Sequence, residues 1–504
     1  MLEMFITGFA AVLTFKVMAL IVLGVVVGIV FGSIPGLTAT MAVALCIPLT
    51  FGMDITAAIS LLIGLYVGGV SGGLISAILI NIPGTPSSVA TCFDGSPMAK
   101  RGEAGKALGV GIVASFLGGL LSVFALIFLA PPLSTIALKF GPYEYFAIAV
   151  FSLTLIASLS GKSMPKGLLA CLIGMMMAFI GIAPVDATPR FTFGIDQLSS
   201  GFDLLPVLIG LFAVTEVMKE SEGCWIKGRV YDAAKHKIAL GKIKGFGFTI
   251  VEALSQKLNF VRSFVIGLVI GILPGIGGGT SNLLAYAVAK SQSKTPEKFG
   301  TGVIDGIVAS ETSNNAAVGG AFLPLLTLGI PGDTVTAMLL GGFMIHGVTP
   351  GPLLLTSHGH LVYAIFAALI IAHFVMLIVE FWGLRIFVKA LDIPKHILLP
   401  IIISLCVVGA YGLNNDMTDV WSLLLFGLLG FGLEKQDYPL APLILGFILG
   451  PMVETNLRRG LMHTGGDFMP FLFQPIAALF FALTLLSVAW IIYKGHKKSS
   501  PSRA

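Results

Sequence analysis

Charge is what this 504-residue chain has least of: only 11% of its residues are Asp, Glu, Lys or Arg, against about 25% in soluble domains. That scarcity excludes an ordinary solvated globular protein. With 30 Lys and Arg against 25 Asp and Glu, spread among short loops, nothing suggests a nucleic-acid partner. Cysteine is scarce too. Cys46, Cys92, Cys171, Cys224 and Cys406 are scattered, with no Cys-x-x-Cys or Cys/His spacing, so neither a disulfide framework nor a zinc site is expected. His-Glu-x-x-His, the phosphate loop Gly-x-x-x-x-Gly-Lys-Ser/Thr and a dinucleotide-binding unit are all missing. Metalloprotease, ATP-driven pump and dehydrogenase chemistry therefore have no support, and no resident cofactor is expected. Residues 1–31 carry little positive charge and no evident cleavage site, and read as a retained membrane segment.

What is abundant is apolar sequence, at 56% hydrophobic residues. Runs of roughly 18 or more apolar residues recur along the chain, each long enough to cross a bilayer, and about ten to twelve crossings or hairpins are expected. The fold class is an all-α polytopic integral membrane protein with broken helices and two inverted repeats. Lys and Arg mark cytoplasmic loops, which places 95–106, 161–166 and the long polar stretch Lys219–Asn259 on one side. Arg385, Lys389 and Lys395 mark another inside loop, and Lys494–Arg503 an inside C-terminus. Residues 434–470 stay ambiguous, because Arg458 and Arg459 break the alternation. The chain divides into a first transmembrane repeat (1–218), a basic cytoplasmic linker (219–259), a second repeat (260–452) and a C-terminal segment with the last helix and basic tail (453–504).

Both repeats carry the same punctuation. The first holds Gly-Ser-Ile-Pro-Gly-Leu-Thr at 32–38 and Asn-Ile-Pro-Gly-Thr-Pro-Ser-Ser at 81–88. The second holds Gly-Ile-Leu-Pro-Gly-Ile-Gly-Gly-Gly-Thr-Ser-Asn at 271–282 and Gly-Ile-Pro-Gly-Asp-Thr at 329–334. Proline removes a donor and glycine lets the chain turn. In lipid such broken backbone survives only where protein or a polar cavity satisfies it. Breaks at matching places in two halves point to a transporter binding site. In the first half the loop with Lys100, Arg101 and Lys106 follows both boxes; in the second, Lys290, Lys294 and Lys298 lie between them. That shift favours an inverted repeat. Short apolar hairpins at 32–50 and 271–290 lean towards an elevator movement rather than rocking.

A broken helix exposes N–H groups at the positive end of its dipole, a ready anion site without Lys or Arg. Basic residues are nearly absent around the boxes, while hydroxyls and amides crowd them. The candidate substrate and ion site comprises Ser33, Pro35, Gly36 and Thr38; Asn81, Pro83, Gly84, Thr85, Ser87 and Ser88; Pro274, Gly275, Gly277, Gly278, Thr280, Ser281 and Asn282; and Pro331, Gly332 and Thr334. These groups suit a carboxylate as donors and Na⁺ as oxygen ligands, with H⁺ as the other coupling ion. The membrane-length stretch 302–328 adds Asp305, Glu311, Asn314 and Asn315. Polar residues are costly at that depth, so Asn314 and Asn315 join the candidate site, with Glu311 or Asp305 as coupling groups. Asp333 reads as a helix N-cap.

Asn-Ile-Pro-Gly-Thr-Pro-Ser-Ser-Val-Ala-Thr at 81–91 with Asp-Gly-Ser-Pro-Met-Ala-Lys at 94–100 resembles the large membrane subunit of the tripartite tricarboxylate transporters, the TctA family. Leu273-Pro274-Gly275, Ile330-Pro331-Gly332 and the length fit it as well, and the resemblance covers essentially the whole chain. It implies a permease of the bacterial inner membrane, driven by an ion gradient and carrying citrate or another organic carboxylate. It implies two partners, a small four-helix membrane subunit and a periplasmic solute-binding protein, and leaves homodimerisation of the complex open. The rival class is an intramembrane enzyme. Gly69-Val70-Ser71-Gly72 resembles the Gly-x-Ser-Gly of rhomboid serine proteases, with His373 as the base such a serine needs, although close packing of small residues explains 68–73 better.

Overall fold

A computed structural model describes residues 2–159, 163–226, 247, 249–391 and 393–499. The expectations that fall on 227–246, most of the basic linker, and on 500–504 lie outside the described residues. In chain order the first helices are α1 Leu2–Val12, α2 Phe15–Ser33, α3 Ala39–Cys46, α4 Ile55–Ile80, α5 Thr91–Met98 and α6 Ala104–Ala137. Then come α7 Pro142–Leu159, α8 Met164–Ala178, α9 Leu204–Ile209, α10 Thr215–Ile226, α11 Ile250–Ser255 and α12 Lys257–Ile272. The series continues with α13 Gly277–Gln292, α14 Ile304–Leu328, α15 Thr334–Ile345, α16 Leu354–Ser357, α17 Gly359–Ala390 and α18 Lys395–Asn414. Last are α19 Met417–Lys435, α20 Leu440–His463, α21 Met469–Phe473 and α22 Pro475–Ser499. Among the described residues the strands are the two-residue β1 Gly181–Ile182 and β2 Pro189–Arg190, paired antiparallel.

Among the described residues seven helical runs are long and apolar enough to cross a membrane, and five shorter apolar helices accompany them. The protein is therefore an all-α, multi-pass membrane protein. The chain forms two compact units, each taking a stretch from both halves: 1–135 with 212–415, and 136–211 with 416–504.

In the first unit the element order repeats. Helix α2, a box, α3, α4, a box, α5 and α6 correspond to α12, a box, α13, α14, a box, α15 and α17. Within each set the two long helices flanking the first box run parallel, because small residues let the backbones touch. Gly24, Gly28 and Gly32 of α2 meet α4 around Leu61, Leu65 and Gly69, while Gly64, Gly68 and Gly72 of α4 meet α2 around Gly24, Val25 and Ile29. In the second set Gly267 and Gly271 of α12 meet Ser313 and Ala317 of α14. Parallel packing means that 34–54 carries the chain all the way back to the level where α2 begins. The re-entrant hairpin expected at 32–50 is thus a return limb, made of α3 and the 3-10 turn Pro48–Thr50.

Between the sets, α4 and α14 run antiparallel. The Tyr66 and Phe322 rings lie tilted to each other with centroids 6.0 Å apart, the Val70 carbonyl accepts from Asn314 Nδ2 at 3.4 Å, and Leu74 and Ile307 both border Gly111. Equivalent helices running in opposite directions are what an inverted repeat requires.

In the second unit α8 and α20 pack in parallel, Gly446 against Cys171 and Gly450 against Met175. That places Arg458 at the same end as the β1–β2 turn. Glu454 accepts from both nitrogens of the Arg190 fork (2.5 and 3.1 Å) and from Arg458 Nε (2.9 Å), while Arg458 also donates to Asp186 at 2.7 Å. The arginine that broke the charge alternation is thus tied to the 184–200 turn. Hydrogen bonds from Arg458 and Thr188 bring the exposed Asp186 carboxyl from its usual 3.8 down to about 2. A depressed carboxyl stabilises the fold above its unfolded value and loses that contribution as pH falls towards 2. The thermal midpoint of Asp186→Asn is expected to lie slightly below wild type at pH 6, with the gap closing between pH 4 and 2. A gap that does not change with pH would remove the ion pair from the account.

Candidate functional site

The breaks start new helices, and the starts come together in the first unit in pairs. Thr38 caps α3, its hydroxyl accepting from Met41 N at 3.2 Å. Asp333 caps α15 as expected, in a reciprocal capping box with Thr336. The two caps are neighbours: Thr40 and Thr334 share a hydroxyl–hydroxyl bond of 2.9 Å. The other pair joins the second and third boxes. Thr85 and Ser88 form a capping box around the turn Pro86–Ser88, where Ser87 borders Gly278 and the Pro86 carbonyl borders Gly279. Four residues on, Asn282 Oδ1 accepts from Ala90 N at 2.7 Å.

The pairs are also joined to each other. Gly275 N donates to the Gly332 carbonyl at 2.8 Å. Gly84 lies against the Gly32 carbonyl, and Gly332 repeats that contact on Gly271. Gly36, Gly275 and Gly277 turn the chain at φ of +92°, +74° and +65°, where a Cβ is strained. Gly84, absent from the positive-φ glycines, is glycine for close approach instead.

Not every candidate hydroxyl is available. Ser33 donates to Val30 O (2.9 Å), Ser281 to Gly278 O (2.9 Å), and Thr85 and Ser87 bond each other at 3.0 Å. Asn282 is buried and spends both ends of its amide on protein, its Nδ2 donating to Ser310 O at 3.2 Å. These residues build the frame. Pro274 and Pro331 are buried and Pro35 and Pro83 half-buried at the breaks. Asn81, which ends α4 at φ 57°, and Thr280 are exposed, and Ser87 is half-buried. Inside the frame, Asn314 and Asn315 each keep a buried amide oxygen with no hydrogen-bond partner among the described residues, and that of Asn314 faces Gly278. The polar groups open to a ligand are thus Asn81 and Thr280 outside and the two amide oxygens within.

Sequence reasoning missed three members. The Glu220 carboxyl fills the space beside Gly36 and pairs with Lys395 at 2.5 Å, so a cation does stand near the first box, brought by residues far off in the chain. Tyr66 donates to Asp333. Asp94 Oδ1 accepts from Gly300 N, Gly302 N and Val303 N at 2.9, 2.8 and 3.0 Å, and its Oδ2 from Tyr286 at 2.9 Å. Glu311 is buried on α14, accepting from Thr91 and, at 3.0 Å, from Ser115, whereas Asp305 lies in the first turn of α14.

The serine-protease arrangement does not form. Ser71 donates to Glu380 at 2.9 Å, while His373 stands seven residues earlier on α17, about 10 Å away along the axis, facing Gly119.

Residues 18–445 match the tripartite tricarboxylate transporter TctA family. The chain belongs to that family. It is 35% identical over 413 residues, 82% of this chain and 80% of the other, to an Agrobacterium vitis protein named "Uncharacterized 52.8 kDa protein in TAR-I ttuC' 3'region". A second A. vitis protein, named "Uncharacterized protein in TAR-II ttuC' 3'region", is 40% identical over 214 residues, 42% of this chain and 88% of the other. The range matched to TctA contains all four boxes and the paired helix starts. TctA is a transporter family, which agrees with a site made of backbone donors and amides without a positioned nucleophile.

Proposed function

We propose that this TctA chain is the permease subunit that moves an organic di- or tricarboxylate across the bacterial inner membrane, driven by an ion gradient. One observation carries the reading. Four broken segments from two oppositely oriented halves converge, and their helix starts meet in pairs. Paired helix N-termini offer backbone N–H groups and positive dipole ends to an anion of more than one carboxylate. The unpartnered amide oxygens of Asn314 and Asn315 suit Na⁺ as the coupling ion. Family membership implies, in general, a small membrane partner and a periplasmic binding-protein partner. In our reading the latter delivers the carboxylate to the boxes.

The test is uptake of labelled citrate, malate and succinate into proteoliposomes holding the chain and both partners, with and without a Na⁺ gradient. Uptake is expected to need the gradient, and to fall at least tenfold in Asn81→Ala with Thr280→Ala, the two exposed polar groups at the boxes. Uptake untouched by that double change would move the site away from the boxes. No uptake of any carboxylate would overturn the substrate class.

A further inference from the structure

Outside the boxes, the first unit holds a second group of buried titratable side chains. His373 and Glu380 lie on the same side of α17, two turns apart, and both are fully buried. Nδ1 of His373 sits 2.7 Å from the Leu369 carbonyl. A carbonyl only accepts, so in the neutral ring Nδ1 carries the hydrogen and Nε2 is a bare acceptor. That Nε2 has no hydrogen-bond partner among the described residues, and it points at Gly119 of α6, where a Cβ would collide with it. Glu380 is in the same position: Ser71 donates to its Oε2 at 2.9 Å, and its buried Oε1 has no partner among the described residues.

One turn before Gly119 on the same face of α6, Ser115 donates to Glu311. Glu311 and His373 therefore reach α6 at adjacent turns, roughly 5–6 Å apart along it. Among the described residues, the helices packed around this level bring no cation to it. On α2 the only charged residue is Lys16, exposed in the first turn. On α6 it is Lys106, which pairs with Glu252 at 2.7 Å. Helix α4 has no charged residue and offers Tyr66, which is committed to Asp333. Besides Glu311, α14 has only Asp305, and α1 only Glu3. Arg385 and Lys389 of α17 are exposed.

We propose that His373 Nε2 and Glu380 Oε1 are two proton-binding positions on one side of α17, separate from the carboxylate site, with Glu311 beside the first, and that they are loaded and unloaded in the transport cycle. The two positions are about 10 Å apart along the helix, and the ligand that completes either orphaned acceptor in so tight a space is a proton. Loading breaks one O–H bond of a hydronium ion and forms one N–H bond on His373 or one O–H bond on Glu380, leaving water; unloading reverses the step. A histidine and two carboxylates within a membrane-depth bundle have the make-up of an intramembrane proton relay. Gly119 holds the site open in the conformation described. The proposal rests on the transport reading for its role in coupling, though not for the binding of the proton.

Two measurements on the full chain decide it. In the proteoliposome system, lumenal acidification per carboxylate taken up, read with a pH-sensitive dye, is expected to fall at least threefold in Glu380→Gln and in His373→Asn. An unchanged ratio in both variants would overturn the coupling role. Independently of any substrate, infrared difference spectra of wild-type protein in nanodiscs, titrated from pH 5 to 9, are expected to show a carboxyl carbonyl band that changes with pH. That band should weaken in Glu380→Gln. A wild-type protein with no such band, or one that Glu380→Gln leaves intact, overturns the proton site even if carboxylate transport is confirmed. Uptake that fails for every carboxylate while the band titrates leaves the site standing and removes the transport reading instead.

Discussion

Replacing Gly68 with leucine is expected to leave little folded protein in the membrane. A Cβ at this position would be driven into the backbone of α2, meeting the carbonyl of Val25 and its Cα at 3.0 Å. Neither neighbour is a flexible side chain, so no rotamer change relieves the collision. Overpacking a well-fitted core typically costs about 1–3 kcal/mol. Here the whole seam of Gly24, Gly28, Gly32, Gly64, Gly68 and Gly72 must part, and the cost is expected to be about 3 kcal/mol or more, since close backbone approach is itself the source of helix association in lipid. The measurement is the yield of monodisperse protein after detergent extraction, with the thermal midpoint of what remains. Gly412→Ala on α18 is a control for handling, as that glycine is exposed and helical and nothing lies within 4 Å of a Cβ there. A Gly68→Leu protein with normal yield and midpoint would mean that α2 and α4 are not in backbone contact.

Asp94→Asn is expected to have the next largest effect. The carboxylate is fully buried, and one oxygen collects three backbone N–H groups from the loop between α13 and α14, while the other takes the Tyr286 hydroxyl. Hydrogen bonds to a charged group contribute about 1.5–3 kcal/mol each, and a donor left buried without an acceptor is penalised further. Asparagine keeps the shape but gives up the charge. It can offer an oxygen to the loop or to Tyr286, and it turns an NH₂ group on the other. A loss of about 3 kcal/mol is expected, against about 1 kcal/mol for Tyr286→Phe, which removes a single bond. Because the two residues touch, the double variant should cost less than the sum of the singles. The thermal midpoints of the four proteins check this. Equal midpoints for Asp94→Asn and Tyr286→Phe would show that the loop N–H groups find other partners, and that the carboxylate does not join the two sets of helices.

The two predictions differ in how far the sequence anticipates them. The small residues at 68–73 announce close packing, and the structure buries that part of α4 against α2. The four Pro-Gly breaks are visible as text, because a helix cannot run through them whatever its surroundings. The shift of positive loops between halves gives the inverted relation that the α4–α14 contacts bear out. What the text does not carry is which polar groups are already committed. Asn282 and Thr280 stand two residues apart in one box, yet the first is locked between Ala90 and Ser310 and the second is exposed. The same limit hides Glu220 and Lys395 from Gly36, and Asp94 from its loop. Each pairing depends on the final fold of stretches far apart in the chain, and local spacing says nothing about it. Helix α20 runs through the stretch 434–470 that the charges leave ambiguous, for a related reason: Arg458 is tolerable there because Asp186 and Glu454 wait for it.

The bonds that knit the two halves also set a timetable. Ala90 and Asn282 are 192 residues apart, and Thr91 and Glu311 are 220 apart. At about 5–20 residues per second of synthesis, the partner of Ala90 emerges roughly 10–40 s after Ala90 itself. For that interval the first half waits in the bilayer with the Ala90 amide, the Thr91 hydroxyl and the Asp94 carboxylate still facing no protein partner. Helices that would be unremarkable once paired are, during this delay, polar strangers in lipid. The order in which the ribosome releases this chain therefore makes its assembly hardest before the second set of broken helices arrives.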